Sequence, residues 1–294
     1  MELAPSRYRW TRLLASGAIV LAIVLAVLRA PGQAPVIAPP DALGVQGAAL
    51  RGAAQAQPAT SAAALPPGAT LVAGQLVLYT SEGSYSPEQL RALAPALAEA
   101  LQYVEARTGM QLSEPVAVMF ERRDTCGVDG AAYTQRRTIV LYACADLPSR
   151  RAVNILAHEY VHQLAHDRFG DAHLRADLAL SEGLATWGAG KYWLGEQAHF
   201  RGFVQRYYAG ALLPLGSHYR DYGTIDAMNR LYYEWAALVE YIKQTRGAEA
   251  FDRLYASGNG AHPNSADYTG VLGIDLAGLE NEWQAWLTEL RIEN

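Results

Sequence analysis

The chain has 294 residues, of which 51% are hydrophobic and 18% charged, proportions that suit one large folded domain or two small ones. Its net charge is −5, and because five basic but only two acidic side chains precede residue 69, the rest of the chain is near −8. An acidic body without a basic stripe excludes nucleic acid as a partner.

Arg7, Arg9 and Arg12 precede Leu13 to Leu28, sixteen uncharged residues with only Ser16 and Gly17 as weakly polar members. Such a run predicts a basic cytoplasmic tail over 1–12 and a transmembrane anchor or signal segment over 13–30, with everything beyond it outside the cytoplasm. The small-x-small patterns at Gly32-Gln33-Ala34 and Val36-Ile37-Ala38 are poor cleavage sites, which favours an uncleaved anchor; cleavage would leave a secreted protein. Residues 31–68 are mainly Ala, Pro, Gly and Gln. That composition buries too little apolar surface to offset ordering entropy, so it predicts a disordered linker.

The folded domain is predicted over 69–294. Gln75 to Thr80 reads as a short strand, and Ser86-Pro87-Glu88 opens a helix with Leu90, Leu93, Leu97, Leu101 and Val104 along one face and a possible kink at Pro95. Pro115 to Phe120 and Thr138 to Tyr142 read as two more strands. Cys126 and Cys144, the two cysteines, fall in the loop after one strand and at the end of the next, so outside the cytoplasm they make a natural disulfide; two unpaired thiols are the alternative. From Pro148 onward helices dominate: the segment up to Phe169, then Leu174 to Lys191, Gln197 to Tyr208, Asp226 to Thr245, Ala248 to Ala256 and Asp275 to Ile292. The order predicts an α+β fold, a small sheet with one central helix followed by a helical lobe, with a cleft between 69–170 and 171–294.

His158-Glu159-Tyr160-Val161-His162 lies in the first of these late helices, with Val153, Leu156, Ala157 and Leu164 at helical spacing and no Pro or Gly from Ser149 to Phe169. Positions four apart share a helix face, so His158 and His162 can aim two imidazole nitrogens at one metal ion while Glu159 reaches water beside it. A catalytic zinc needs three protein ligands and one open position. The sharpest third candidate is Glu182, in Leu180-Ser181-Glu182-Gly183-Leu184-Ala185-Thr186-Trp187, twenty positions after His162. Gly183 and Ala185 would let its helix approach the first one closely. A third histidine is excluded because Ala165 and Arg168 stand where a metzincin needs Gly and His. The Gly223-Thr224-Ile225-Asp226 segment copies half of the aspzincin pattern, but Asn229-Arg230 breaks it, and Asp226 is expected to cap a helix. His166 lies one turn beyond His162 and is expected as a surface or supporting residue.

With these motifs the chain resembles the gluzincins, zinc metallopeptidases whose third ligand is a glutamate on a following helix, and within them the bacterial peptidase MA-like branch. The similarity extends weakly through Leu212-Leu213-Pro214-Leu215 and Tyr232 to Ile242, about residues 110 to 290. The resemblance implies a zincin-like fold, Zn2+ on His158, His162 and Glu182, Glu159 as general base, a peptide or protein substrate, and a Tyr or His that stabilises the oxyanion. Tyr232 is the first candidate for that donor, with Tyr233 and His218 as alternatives. The strand Thr138 to Tyr142 is expected to be the edge that pairs with an extended peptide. Thermolysin-like members carry an Asp one turn beyond the glutamate ligand to support a histidine; Thr186 stands here, so that support is expected from elsewhere. The expectation is thus a membrane-tethered extracytoplasmic zinc metallopeptidase. The alternatives are a catalytically silent peptide-binding or cell-envelope module on the same fold, and a zinc hydrolase of non-peptide amides or esters.

Overall fold

A computed structural model describes residues 68–122, 129–142 and 148–289. Two hairpin-forming strands come first: β1 (Leu71–Ala73) pairs antiparallel with β2 (Leu76–Thr80), whose Leu76 and Leu78 are fully buried on one face, as alternation along a half-buried strand requires. Helix α1 (Pro87–Thr108) starts as expected. Ser86 accepts from the Gln89 backbone N–H while the Gln89 side chain accepts from Ser86, a reciprocal capping box with Pro87 in the first turn. Its buried stripe is Leu90, Leu93, Leu97, Leu101 and Val104 with Ala94 and Ala100, and Pro95 lies within the helix. The chain then returns as β3 (Val116–Glu121), parallel to β2.

The next two strands differ from expectation. Besides β5 (Thr138–Tyr142), a strand β4 (Asp129–Tyr133) forms antiparallel to it, and the sheet order is β1-β2-β3-β5-β4. β5 is paired on both sides, parallel to β3 and antiparallel to β4, so it is an interior strand and β4 is the edge. Asp129-Gly130-Ala131-Ala132-Tyr133 has neither β-branched residues nor alternation, which is why its pattern did not predict a strand.

Helix α2 (Ser149–Phe169) follows and is covered on nearly all sides: Leu156, Ala157, Tyr160 and Leu164 are fully buried, and α2 packs on α1, β4, β5 and the next helix. Each large apolar side chain buried this way contributes about 1.5–3 kcal/mol. A 3-10 turn (Gly170–Arg175) then leads to α3 (Leu178–Ala189), four residues later than expected at its start because Asp177 caps it, accepting from the Ala179 backbone N–H. The helical lobe continues as α4 (Lys191–Leu194), α5 (Phe200–Tyr207), α6 (Ile225–Thr245), α7 (Ala248–Ala256), α8 (Tyr268–Leu272) and α9 (Leu276–Thr288). Thr224, not Asp226, caps α6; Asp226 sits in the first turn and pairs with Arg230. α3 packs on α6 more extensively than any other pair of elements. The expected α+β architecture is therefore present: a small mixed sheet, a helix carrying the histidine pair, and a helical C-terminal lobe.

Two expectations are corrected. No helix among the described residues is long and apolar enough to cross a membrane, and the segment 13–30 expected to do so lies outside them, as do 1–12 and the linker to residue 67. Membrane tethering, the membrane as partner and an extracytoplasmic location are accordingly dropped. The bridge between Cys126 and Cys144 is dropped as well: both cysteines lie outside the described residues, among which there is no disulfide.

One ion pair ties the sheet to α2. Arg137, just before β5, sets Nη1 and Nη2 at 2.5 and 3.0 Å from the two Asp167 oxygens, and Asp167 also accepts from the Ser113 backbone N–H and the Gln163 side chain. Burial pushes the Asp167 carboxyl up, but the Arg137, Ser113 and Gln163 hydrogen bonds outweigh it and hold its pKa below the ordinary 3.8. A depressed folded-state pKa stabilises above the unfolded value and ceases to do so as pH falls through the folded one. Asp167→Asn is therefore expected to cost about 2–3 kcal/mol at pH 7, and the difference from the unaltered protein should shrink below pH 3.8. Urea melts at pH 7 and in acid measure both.

Candidate metal centre

Helix α2 presents His158 and His162 one turn apart on one face, their rings 5.1 Å between centroids, and α3 brings Glu182 against them. The Glu182 Oε2 lies 3.1 Å from His158 Nε2 and 3.6 Å from His162 Nε2. One donor atom from each of the three residues lies within 4.8 Å of the other two. A tetrahedral ion with ligands at about 2.0–2.1 Å holds its donors about 3.3 Å apart. The observed separations bracket that value, and two imidazole nitrogens with one carboxylate are a donor set suited to zinc. The cluster could therefore hold a metal ion.

The electrostatics agree with the geometry. Burial pushes the Glu182 carboxyl up, but His162 and the hydrogen bonds from both imidazoles overcome it and hold the group well below the usual carboxylate range, hence ionised. Glu159, 8% exposed on the same helix, behaves oppositely. Burial raises its pKa to about 7; His162 opposes the shift, the carboxylates of Glu182 and Asp129 add to it, and the Ala132 backbone N–H lowers it by hydrogen bonding. Two neighbouring carboxylates are thus shifted in opposite directions, Glu182 down and Glu159 up.

The ring of His158 is held by two aromatic neighbours that also touch each other, their centroids 6.5 Å apart. Tyr232 stacks on it with centroids 5.7 Å apart and rings parallel within 1°, and Trp193 lies against it at 5.2 Å. Trp193 is in turn fixed by its Nε1–H to the Asn154 carbonyl and by the Tyr233 hydroxyl on its own carbonyl. Thr186 is fully buried and puts Oγ1 at 3.4 Å from His158 Nδ1. The support expected from elsewhere comes from this threonine after all: one turn beyond Glu182, its hydroxyl stands where a carboxylate would, leaving Nε2 of His158 free to face Glu182.

Tyr232 is brought to the site, its hydroxyl in hydrogen-bonding contact with Glu182 and kept protonated by burial first and by nearby carboxylate charge second. Tyr233 points away and stacks on Phe203 at 4.1 Å. His218 accepts from the Arg220 backbone N–H in the turn before α6 and is not part of the metal cluster. His166 Nδ1 is buried without a hydrogen-bond partner among the described residues. Sequence reasoning missed His173. Its ring lies 5.7 Å from that of His162, its Nδ1 is 2.7 Å from the Tyr255 hydroxyl, and burial followed by the two neighbouring histidines pushes its pKa down to about 3. A lone histidine in a turn carries no motif that could have pointed to it.

Glycine has a different use from the one expected. A Cβ on Gly183 would lie 2.6 Å from the Trp235 carbonyl oxygen, so Gly183 serves the crossing of α3 with α6, while Gly188 faces α2 with its Cβ position 2.7 Å from Val161. The crossing fixes the turn of α3 that carries Glu182. Asp177 anchors the start of the helix, also accepting backbone N–H groups from Ser265 and Ala266.

No protein-family model matches the chain, and no curated protein matches it. Among solved structures, it is similar to the M1 zinc metallopeptidase from Deinococcus radiodurans, with 20% identity, a TM-score of 0.40, and coverage of 74% of this chain and 49% of that one. A point mutant of the same enzyme gives 19% identity, a TM-score of 0.39, and coverage of 74% and 50%. The chain thus spans about half the length of these structures. Likeness at that level assigns no family, and the site stands on its own geometry.

Thr186→Val keeps the side-chain shape and removes the only hydroxyl against His158 Nδ1 in the described residues. It is expected to weaken zinc binding about 10- to 100-fold, measured by chelator competition, with little change in far-UV circular dichroism. Gly183→Ala should lower both affinity and stability, the latter by about 1–3 kcal/mol, because the clash is with backbone.

Proposed function

We propose that the protein is a zinc-dependent peptidase of gluzincin type, with His158, His162 and Glu182 as ligands and Glu159 as general base. The observation that carries this reading is the meeting of the three donor groups within 4.8 Å, from two helices, with a buried carboxylate one residue after the first ligand. A zinc ion held there supplies Lewis acidity toward a peptide carbonyl and toward water. Glu159 takes the proton released as water attacks the carbonyl carbon, holds it on its carboxylate, and delivers it to the departing amine nitrogen. Tyr232 stays protonated and offers its O–H to the oxygen that gains negative charge. His158 is kept from rotating by Thr186 and the two aromatic walls. An extended peptide substrate fits the edge strand β4, which packs directly on α2 beside Glu159.

The test uses the full chain, a peptide library and zinc stoichiometry. Glu159→Gln is expected to lower kcat by about 10²- to 10⁴-fold while zinc stays bound at one per chain. Chelation should abolish cleavage and added zinc restore it. Glu182→Ala should lose zinc while keeping the fold. Bound zinc without any Glu159-dependent peptide cleavage would sink the proposal, and Glu159-dependent hydrolysis confined to non-peptide amides or esters would replace peptidase by another zinc hydrolase.

A further inference from the structure

β4 is the strand that the sequence pattern did not announce, and the space above Glu159 explains its composition. Among the described residues it is the edge of the sheet, paired only with β5, with Gly130 opposite Leu141 and Ala132 opposite Ile139. Residues 130 and 132 alternate to the same side of the strand, and both meet Glu159. The Ala132 backbone N–H hydrogen-bonds its carboxylate. At Gly130 a Cβ would stand 2.7 Å from Ile155 Cγ2, 3.0 Å from Glu159 Cγ and 3.0 Å from Glu159 Oε1.

Backbone conformation does not demand glycine there. Gly130 is absent from the glycines with positive φ, and its strand geometry is open to any L residue. What demands glycine is volume. Ile155 and Glu159 lie four apart on α2, so they share a face and fill the same gap under the strand. The Ile155 Cγ2 is branched at Cβ and cannot swing aside without a change of rotamer. Glu159 is the more mobile of the two, with its carboxylate at the far end of the side chain. A methyl group at position 130 would therefore be accommodated in one of two ways: β4 lifts away from α2, or the Glu159 side chain turns out of its place.

We infer that Gly130 is a positioning residue for Glu159: the side chain missing from the edge strand leaves the room in which the carboxylate is held beside the metal cluster. Contact with β4 also removes water from Glu159, so one close approach both locates the base and shields it. The inference rests on the proposed function only in taking Glu159 as the base. The placement of the side chain by Gly130 is a separate, structural fact to be tested.

Gly130→Ala in the full chain tests it. A crystal structure of the zinc-loaded variant is expected to show the Glu159 carboxylate displaced by about 1 Å or more, with His158, His162 and Glu182 unmoved. Zinc affinity should be unchanged. In peptide cleavage kcat should fall about 10- to 100-fold with KM within about twofold, and the same substitution in a Glu159→Gln background should bring no further loss. An undisturbed Glu159 under a lifted β4, or a loss that multiplies with Glu159→Gln, overturns the inference. If Gly130→Ala does not fold, Gly130→Ala with Ile155→Ala relieves the tightest contact and keeps the one with Glu159, so the same measurements apply. Absence of cleavage by the unaltered protein defeats the peptidase reading, while the position of Glu159 in the variant still decides this one.

Discussion

A buried carboxylate stays ionised only where opposite charge or donors face it, and the meeting of Glu182 with His158 and His162 is the contact on which the rest of this structure is organised. Without an ion or a proton between them, the three groups would be an expensive cluster to bury. Close packing around α3 brings them together. α3 crosses α6 at Gly183 with no room for a methyl group, Gly188 lets it lie against α2, and Asp177 holds its first turn to the 265–266 segment. Each of these contacts acts on the helix that carries Glu182, not on Glu182 itself.

Glu159 is governed from the other side. α2 is pinned to the sheet through Arg137 and Asp167 at its C-terminal end and through β4 over its middle. Glu159 is consequently buried among protein groups, with a backbone N–H from Ala132 facing it and two other carboxylates near enough to oppose its charge. The two carboxylates therefore part in acidity for different reasons: Glu182 is drawn down by imidazoles, and Glu159 is pushed up by burial.

Much of this was legible before any coordinates. α1 announced itself by Ser86, Pro87 and a leucine stripe, and α2 by an apolar pattern around His-Glu-x-x-His without a breaker. Glu182 was legible because ligand spacing is a local matter of one helix, a turn and another helix. β4 was not, because Asp129-Gly130-Ala131-Ala132-Tyr133 is a strand by virtue of pairing with β5 and packing against Glu159, and it has the composition of a loop. The same blindness assigned the edge to β5, since strand order depends on partners far along the chain. Thr186 was misjudged for a related reason. A hydroxyl in place of a carboxylate looks like lost support until its distance to His158 Nδ1 is known.

By itself the sequence determined the chemistry available: two imidazoles at one helix face, a carboxylate between them in the chain, and a second carboxylate at a distance that a helical hairpin can close. Residue type and helical period are enough for that, because both act over a few residues. Only the tertiary structure decided which tyrosine meets the site, which strand forms the edge, what steadies His158, and why position 130 has no side chain. Those outcomes depend on volume and distance between segments remote in sequence, which close packing settles and local pattern does not record.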